Sequence, residues 1–96
     1  MSQYRISPSA TRDLNKISDY FFDKNISAGE QFFRNFNRKC KSLTQFPYLG
    51  KSYEQLLPHL RGIVLDGYII FYRINEETVE VLRIVHGRQN LEDLFN

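Results

Sequence analysis

The chain reads as a small α+β domain: an N-terminal strand, then an antiparallel helix hairpin packed on one face of a small, mainly antiparallel sheet. Three observations predict it. Two apolar stripes of helical period fill the first half, and three strand-like apolar runs fill most of the second. The break between the two stripes is only two or three residues, which forces the helices back on each other. Ninety-six residues make a single domain, 1–96.

Each element follows in order. Tyr4, Arg5 and Ile6 are a short strand candidate. Ser7 reads as an N-cap with Pro8 at the first helical position, where a missing N–H costs nothing. Ala10, Leu14, Ile17 and Phe21 then line one helix face, with Thr11, Arg12, Asn15, Lys16 and Asp19 on the wet side. That helix ends near Lys24 and Asn25. Ser27, spaced to Glu30 as a capping box, predicts the second helix start. Phe32, Phe33, Phe36, Cys40 and Leu43 give it a broad apolar stripe, and Pro47 and Gly50 stop it.

Residues 47–60 form a loop with enough apolar content (Tyr48, Leu49, Tyr53, Leu56, Leu57, Leu60) to predict packing onto the domain. Asp66-Gly67, between apolar runs starting at Arg61 and Tyr68, is a type I′ hairpin signal. A third run spans Val79 to Arg88, and Leu91, Leu94 and Phe95 suggest a last helical turn. These strands are apolar on both faces, whereas a sheet with one wet face alternates. One helix pair covers one face, so the other is expected to lie open for a partner. Period-2 spacing sets Val81, Arg83 and Val85 on one face and Leu82, Ile84 and His86 on the other. With Leu82 and Ile84 under the helices, Arg83 falls on the open face, either held for a partner or paired with Glu54, Asp66 or Glu80.

Composition narrows the function classes. Hydrophobic residues at 42% and aromatics at 15% mark a folded globule. A net charge of +2 falls short of an obligate nucleic-acid binder. Eight of thirteen cations are Arg, and Arg61, Arg73, Arg83 and Arg88 lie in the strand region, where planar guanidiniums suit carboxylate or phosphate. One cysteine, Cys40, excludes an internal disulfide and a multi-cysteine metal site, and its helix position predicts a buried thiol. No signal core or membrane-length apolar run is present, so a cytoplasmic protein without membrane contact is expected. No metal-ligand spacing, phosphate loop or nucleophile motif occurs, and no cofactor is expected.

Metal-free RNA cleavage needs a base, an acid and cations around the phosphate. His86 or Glu54 offers proton transfer, and Lys51, Arg61 and Arg83 offer charge. No tight motif joins His59 and His86, and a capping or core histidine before Gly87 is the better reading. The chemistry favours a binding protein.

The stretches Phe46-Pro47-Tyr48-Leu49-Gly50, Leu57-Pro58-His59-Leu60-Arg61, Tyr68-Ile69-Ile70-Phe71-Tyr72-Arg73 and Val81-Leu82-Arg83-Ile84-Val85-His86-Gly87-Arg88, with Ile6-Ser7-Pro8-Ser9-Ala10 and Asp13-Leu14, resemble the ParE branch of the RelE/ParE toxin superfamily. The resemblance spans nearly the whole chain. It implies a bacterial type II toxin that inhibits DNA gyrase, blocks replication, and is neutralised by a cognate antitoxin folding as it binds. DNA contact would come only through the antitoxin or gyrase. It implies no catalytic residues; Arg61, Arg73, Val81, Arg83, Val85, His86 and Arg88 are the expected partner-binding residues. The alternative is a ribosome-dependent mRNA endoribonuclease of the RelE type, using Arg61, Arg83 and His86. The tail after Arg88 lacks the Tyr, Lys or His that such nucleases carry near the last strand.

Overall fold

A computed structural model describes residues 3–95; Asn96, the last residue of the expected tail, lies outside them. The elements run β1 (Gln3–Ile6), α1 (Pro8–Lys24), α2 (Ile26–Gln45), β2 (Lys51–Ser52), β3 (Arg61–Leu65), β4 (Tyr68–Asn75) and β5 (Thr78–His86), then a 3-10 turn at Leu91–Asp93. The strands form one sheet in the order β1-β5-β4-β3-β2. β1 joins β5 in parallel, and the other pairings are antiparallel. This is the α+β architecture expected from the sequence.

Ser7 caps α1 as its sequence position predicts. Its Oγ accepts the Ala10 N–H at 3.0 Å and donates to the Leu82 carbonyl at 2.9 Å, tying the helix start to β5. The second N-cap differs: it is Asn25 rather than Ser27. Asn25 ends α1 by donating its N–H to the Phe21 carbonyl at 2.8 Å and starts α2 by accepting the Ala28 N–H at 3.0 Å. One residue in extended conformation serves both helices, so the hairpin turns on a single position. Asn caps as well as Ser, and the earlier start adds two residues to the helix.

The stripes pack as their periodicity requires. Ala10 and Ile17 of α1 and Phe32, Phe36 and Cys40 of α2 bury against Leu65, Ile70, Val81 and Ile84 of the sheet. Leu43 continues the contact onto Tyr72 and Val79. Burying one such Phe or Ile contributes about 1.5–3 kcal/mol, and this layer holds most of the largest buried side chains.

The other sheet face is not open, which corrects the sequence expectation. Tyr53, Leu56, Leu57 and Leu60 from the loop and Leu91, Leu94 and Phe95 from the tail pack on Ile69, Phe71 and Val85. The loop itself contributes β2, which pairs with Arg61 and Gly62. The chain supplies its own second layer.

A β-bulge corrects the facing of β5. Tyr72 pairs with Val81 but Phe71 pairs with Arg83, leaving Leu82 as an extra residue. Val81 and Ile84 therefore both lie under the helices, while Leu82 and Val85 join the loop-and-tail side. Strict period-2 counting fails across that insertion.

Asp66 and Gly67, at φ of 49° and 83°, form the expected tight turn. Glu76 and Glu77 adopt the same left-handed pair of conformations, at 49° and 65°, without the residues that favour it. No helix among the described residues is long and apolar enough to cross a membrane.

Candidate functional site

β1 ends at Ile6, leaving the outer edge of β5 bare beyond Val81. Side chains from the start of α1 fill it. The Ser7 N–H donates to the Val81 carbonyl at 2.9 Å, and Asp13 Oδ2 accepts the Ile84 N–H at 2.9 Å. The same carboxylate takes Arg83 in a two-pronged pair, Nε to Oδ2 at 2.7 Å and Nη2 to Oδ1 at 3.0 Å. The hydrogen bonds from Arg83 to Asp13 hold its guanidinium pKa above the usual arginine value. Arg83 is thus paired within the chain, and with Asp13 rather than with Glu54, Asp66 or Glu80.

A second cluster forms at the start of β3. Arg61 Nη1 donates to the Gly50 carbonyl at 2.6 Å, and its guanidinium lies 4.9 Å from the Tyr48 ring centroid. Tyr72 holds this loop from below: its hydroxyl donates to the Pro47 carbonyl at 2.7 Å and accepts the Gly50 N–H at 3.0 Å. Gly50 is required here, since a Cβ would stand 2.7 Å from both the Gly62 carbonyl and that hydroxyl. Glu54 Oε1 accepts the His59 N–H at 3.2 Å, and with Ser52, Arg61 and Tyr48 lines a polar cavity of about 250 Å³. Lys51 sits over the Tyr53 ring at 5.0 Å.

His86 and Arg88 are exposed at the far end of β5. His86 Nδ1 accepts the Arg88 N–H at 3.3 Å and its own N–H donates to Gln89 Oε1 at 3.1 Å, the capping role foreseen for it. Arg73 and Arg5 both approach Glu80, at 3.4 and 3.8 Å. Val81 and Val85 are buried in the two layers and present no surface, a correction to their expected contact with a partner.

The three nuclease candidates do not converge. Arg61 stands opposite Tyr72, whereas His86 stands opposite Tyr68, four residues away on β4 and roughly 13 Å along the strand. Arg83 pairs with Phe71, whose side chain belongs to the opposite face from Tyr72. Burial pushes the Cys40 thiol up to about 12, so it is an inert core residue. Among the described residues no group of His, Cys, Asp and Glu could hold a metal ion.

The helix hairpin also carries an apolar groove, whose lining residues the sequence reading did not name. At the closed end of the helix hairpin a cavity of about 510 Å³ is lined by Phe21, Phe22, Ile26, Gly29 and Phe33. Phe22 is 74% exposed, and Tyr20 and Ile26 are more than half exposed. Gly29 lets the two helices approach closely beside it: a Cβ there would meet Phe21 Cβ at 2.7 Å. The available signal was Phe22 and Ile26 standing off the core stripe. A second apolar patch, Phe46, Tyr48 and Leu49, is exposed after α2.

Similar proteins place this molecule. Over 49 residues the chain is 43% identical to Toxin ParE3 of Caulobacter vibrioides, covering 51% of this chain and 49% of that toxin. That match therefore spans about half the length of the relative. Toxin RelE3 of the same bacterium is 26% identical over 88 residues, covering 91% of this chain and 96% of the relative. The solved chromosomal ParDE toxin–antitoxin system from P. aeruginosa shares the fold, with a TM-score of 0.73, 20% identity, and coverage of 90% and 95% of the two chains. The model of the ParE toxin of the type II toxin–antitoxin system parDE matches residues 4–91, from β1 into the final turn, so the chain belongs to the ParE toxin family.

Proposed function

We propose that the protein inhibits DNA gyrase, and hence replication, and is neutralised by direct binding of a cognate antitoxin that folds on its surface. The exposed apolar groove of the helix hairpin carries the antitoxin half of this reading. Phe22 and Ile26, with Phe21 and Phe33 beside them, form an exposed apolar surface of the kind that marks a protein interface. The ParE family is one half of a two-component toxin–antitoxin system, which supplies a partner for that groove. A helix with apolar residues at i, i+3 and i+7 fits such a groove, and folding on contact leaves the free antitoxin open to proteolysis. The exposed Tyr48 and Leu49 form a separate apolar patch past the other end of α2.

Membership of the ParE toxin family supports gyrase as target, and the dispersal of Arg61, Arg83 and His86 speaks for a non-enzymatic inhibitor. Induced expression separates the readings. Filamentation with an SOS response is expected, suppressed by co-expressed antitoxin. Immediate arrest of protein synthesis would instead support mRNA cleavage. Phe22→Asp is expected to weaken antitoxin binding by about a hundredfold in calorimetric titration, with the melting temperature unchanged. Unaltered binding would remove the groove from the interface.

A further inference from the structure

A cleft of about 350 Å³ lies on the sheet face away from the helices, beside the C-terminal turn. Its apolar side is made by Leu57, Leu82 and Phe95, and its polar side by Arg73, Arg83 and Ser9. Arg83 is spent on Asp13. Arg73 is not: its Nε alone approaches Glu80, and Glu80 is shared with Arg5. Arg5, Glu80 and Arg73 stand in one cross-strand row, so two guanidiniums flank one carboxylate and a positive charge is left over. The Arg73 side chain is 41% exposed at the cleft.

We propose that this cleft is a docking site for an acidic peptide segment with an apolar anchor. The carboxylate takes the terminal nitrogens of Arg73, and the anchor enters between Leu57, Leu82 and Phe95. A guanidinium beside apolar walls suits this class because its planar fork pairs with carboxylate while the walls exclude competing water. The chain's own tail shows the apolar half of that chemistry: Leu91, Leu94 and Phe95 pack on this face, and Phe95 meets Phe71 edge-on at 5.7 Å. In the cell the segment belongs to the antitoxin, and only that source rests on the toxin–antitoxin reading.

The probe is the synthetic peptide acetyl-Glu-Asp-Leu-Phe-Glu-amide, titrated into the isotope-labelled full-length protein with amide shifts followed by NMR. A peptide with Lys at each acidic position is the control. Saturating shifts at Ser9, Leu57 and Leu82 are expected with the acidic peptide alone. Arg73→Gln is expected to weaken binding about tenfold with its melting curve unchanged, and Arg73→Lys to restore part of the loss. Absent shifts, equal binding of the Lys peptide, or unchanged affinity in Arg73→Gln would each overturn the proposal. No antitoxin is in the tube, so such a failure leaves the toxin–antitoxin reading standing. Full-length antitoxin binding the wild type and Arg73→Gln equally would likewise count against the cleft alone.

Discussion

Asp13 carries more of the structure than any other single polar side chain, because one carboxylate satisfies both the bare edge of β5 and the guanidinium of Arg83. Asp13→Ala orphans the Ile84 N–H and leaves a partly buried cation unpaired. The expected loss is about 2–3 kcal/mol in urea denaturation; a change under half a unit would mean that water replaces the carboxylate. Tyr72→Phe removes a buried hydroxyl bonded to both Pro47 and Gly50, at an expected cost of about 1–3 kcal/mol. It should also loosen Tyr48 against Arg61, visible as broadened resonances in that loop. Cys40 gives stability an alkaline limit. Burial raises its pKa from 9.0 to about 12, so the folded state keeps the proton that the unfolded state gives up. The thiol's contribution is whole below pH 9.0 and is lost as pH climbs toward about 12. The raised Tyr4, Tyr68 and Tyr72 pKa values act with the same sign. Stability that stayed level across that window would contradict the burial of these groups.

At the scale of elements, what the sequence made legible followed periodicity and capping, and what it hid followed tertiary contacts. Both helices were readable because Ala10, Ile17, Phe32, Phe36 and Cys40 repeat at helical spacing. The Asp66-Gly67 turn was readable because its residue types match its backbone. The connection at Glu76-Glu77 was readable as a polar break but its backbone was not: two residues that disfavour positive φ are held there by the β4–β5 ladder. Replacing them with Asn-Gly is expected to stabilise the protein by about 1–2 kcal/mol, read from the urea midpoint. No gain would mean the strain is relieved in another way. The facing of β5 was hidden by one inserted residue, Leu82, and local sequence gives no mark of a bulge. The packing of loop 47–60 was legible in its apolar content, but not that Leu56-Leu57 and Leu94-Phe95 cover the second sheet face, which only the assembled sheet reveals.

Across the whole molecule, the two-faced apolar sheet is closed by the chain itself, which moves the partner surfaces outward. The expected contact list shrinks accordingly: Val81 and Val85 are core, Arg83 is an internal ion pair, and His86 shapes a turn. Arg61 and Arg73 keep exposed faces, in two separate clefts on opposite sides of the sheet. The hairpin groove is a further exposed apolar surface. A small rigid scaffold with several separate surfaces suits a protein that binds an inhibitor and a target. The proposed target is gyrase. Purified protein added to gyrase, ATP and relaxed plasmid should abolish supercoiling and accumulate cleaved DNA, with both effects reversed by the antitoxin. Unaffected supercoiling, together with cutting of mRNA on programmed ribosomes, would contradict it.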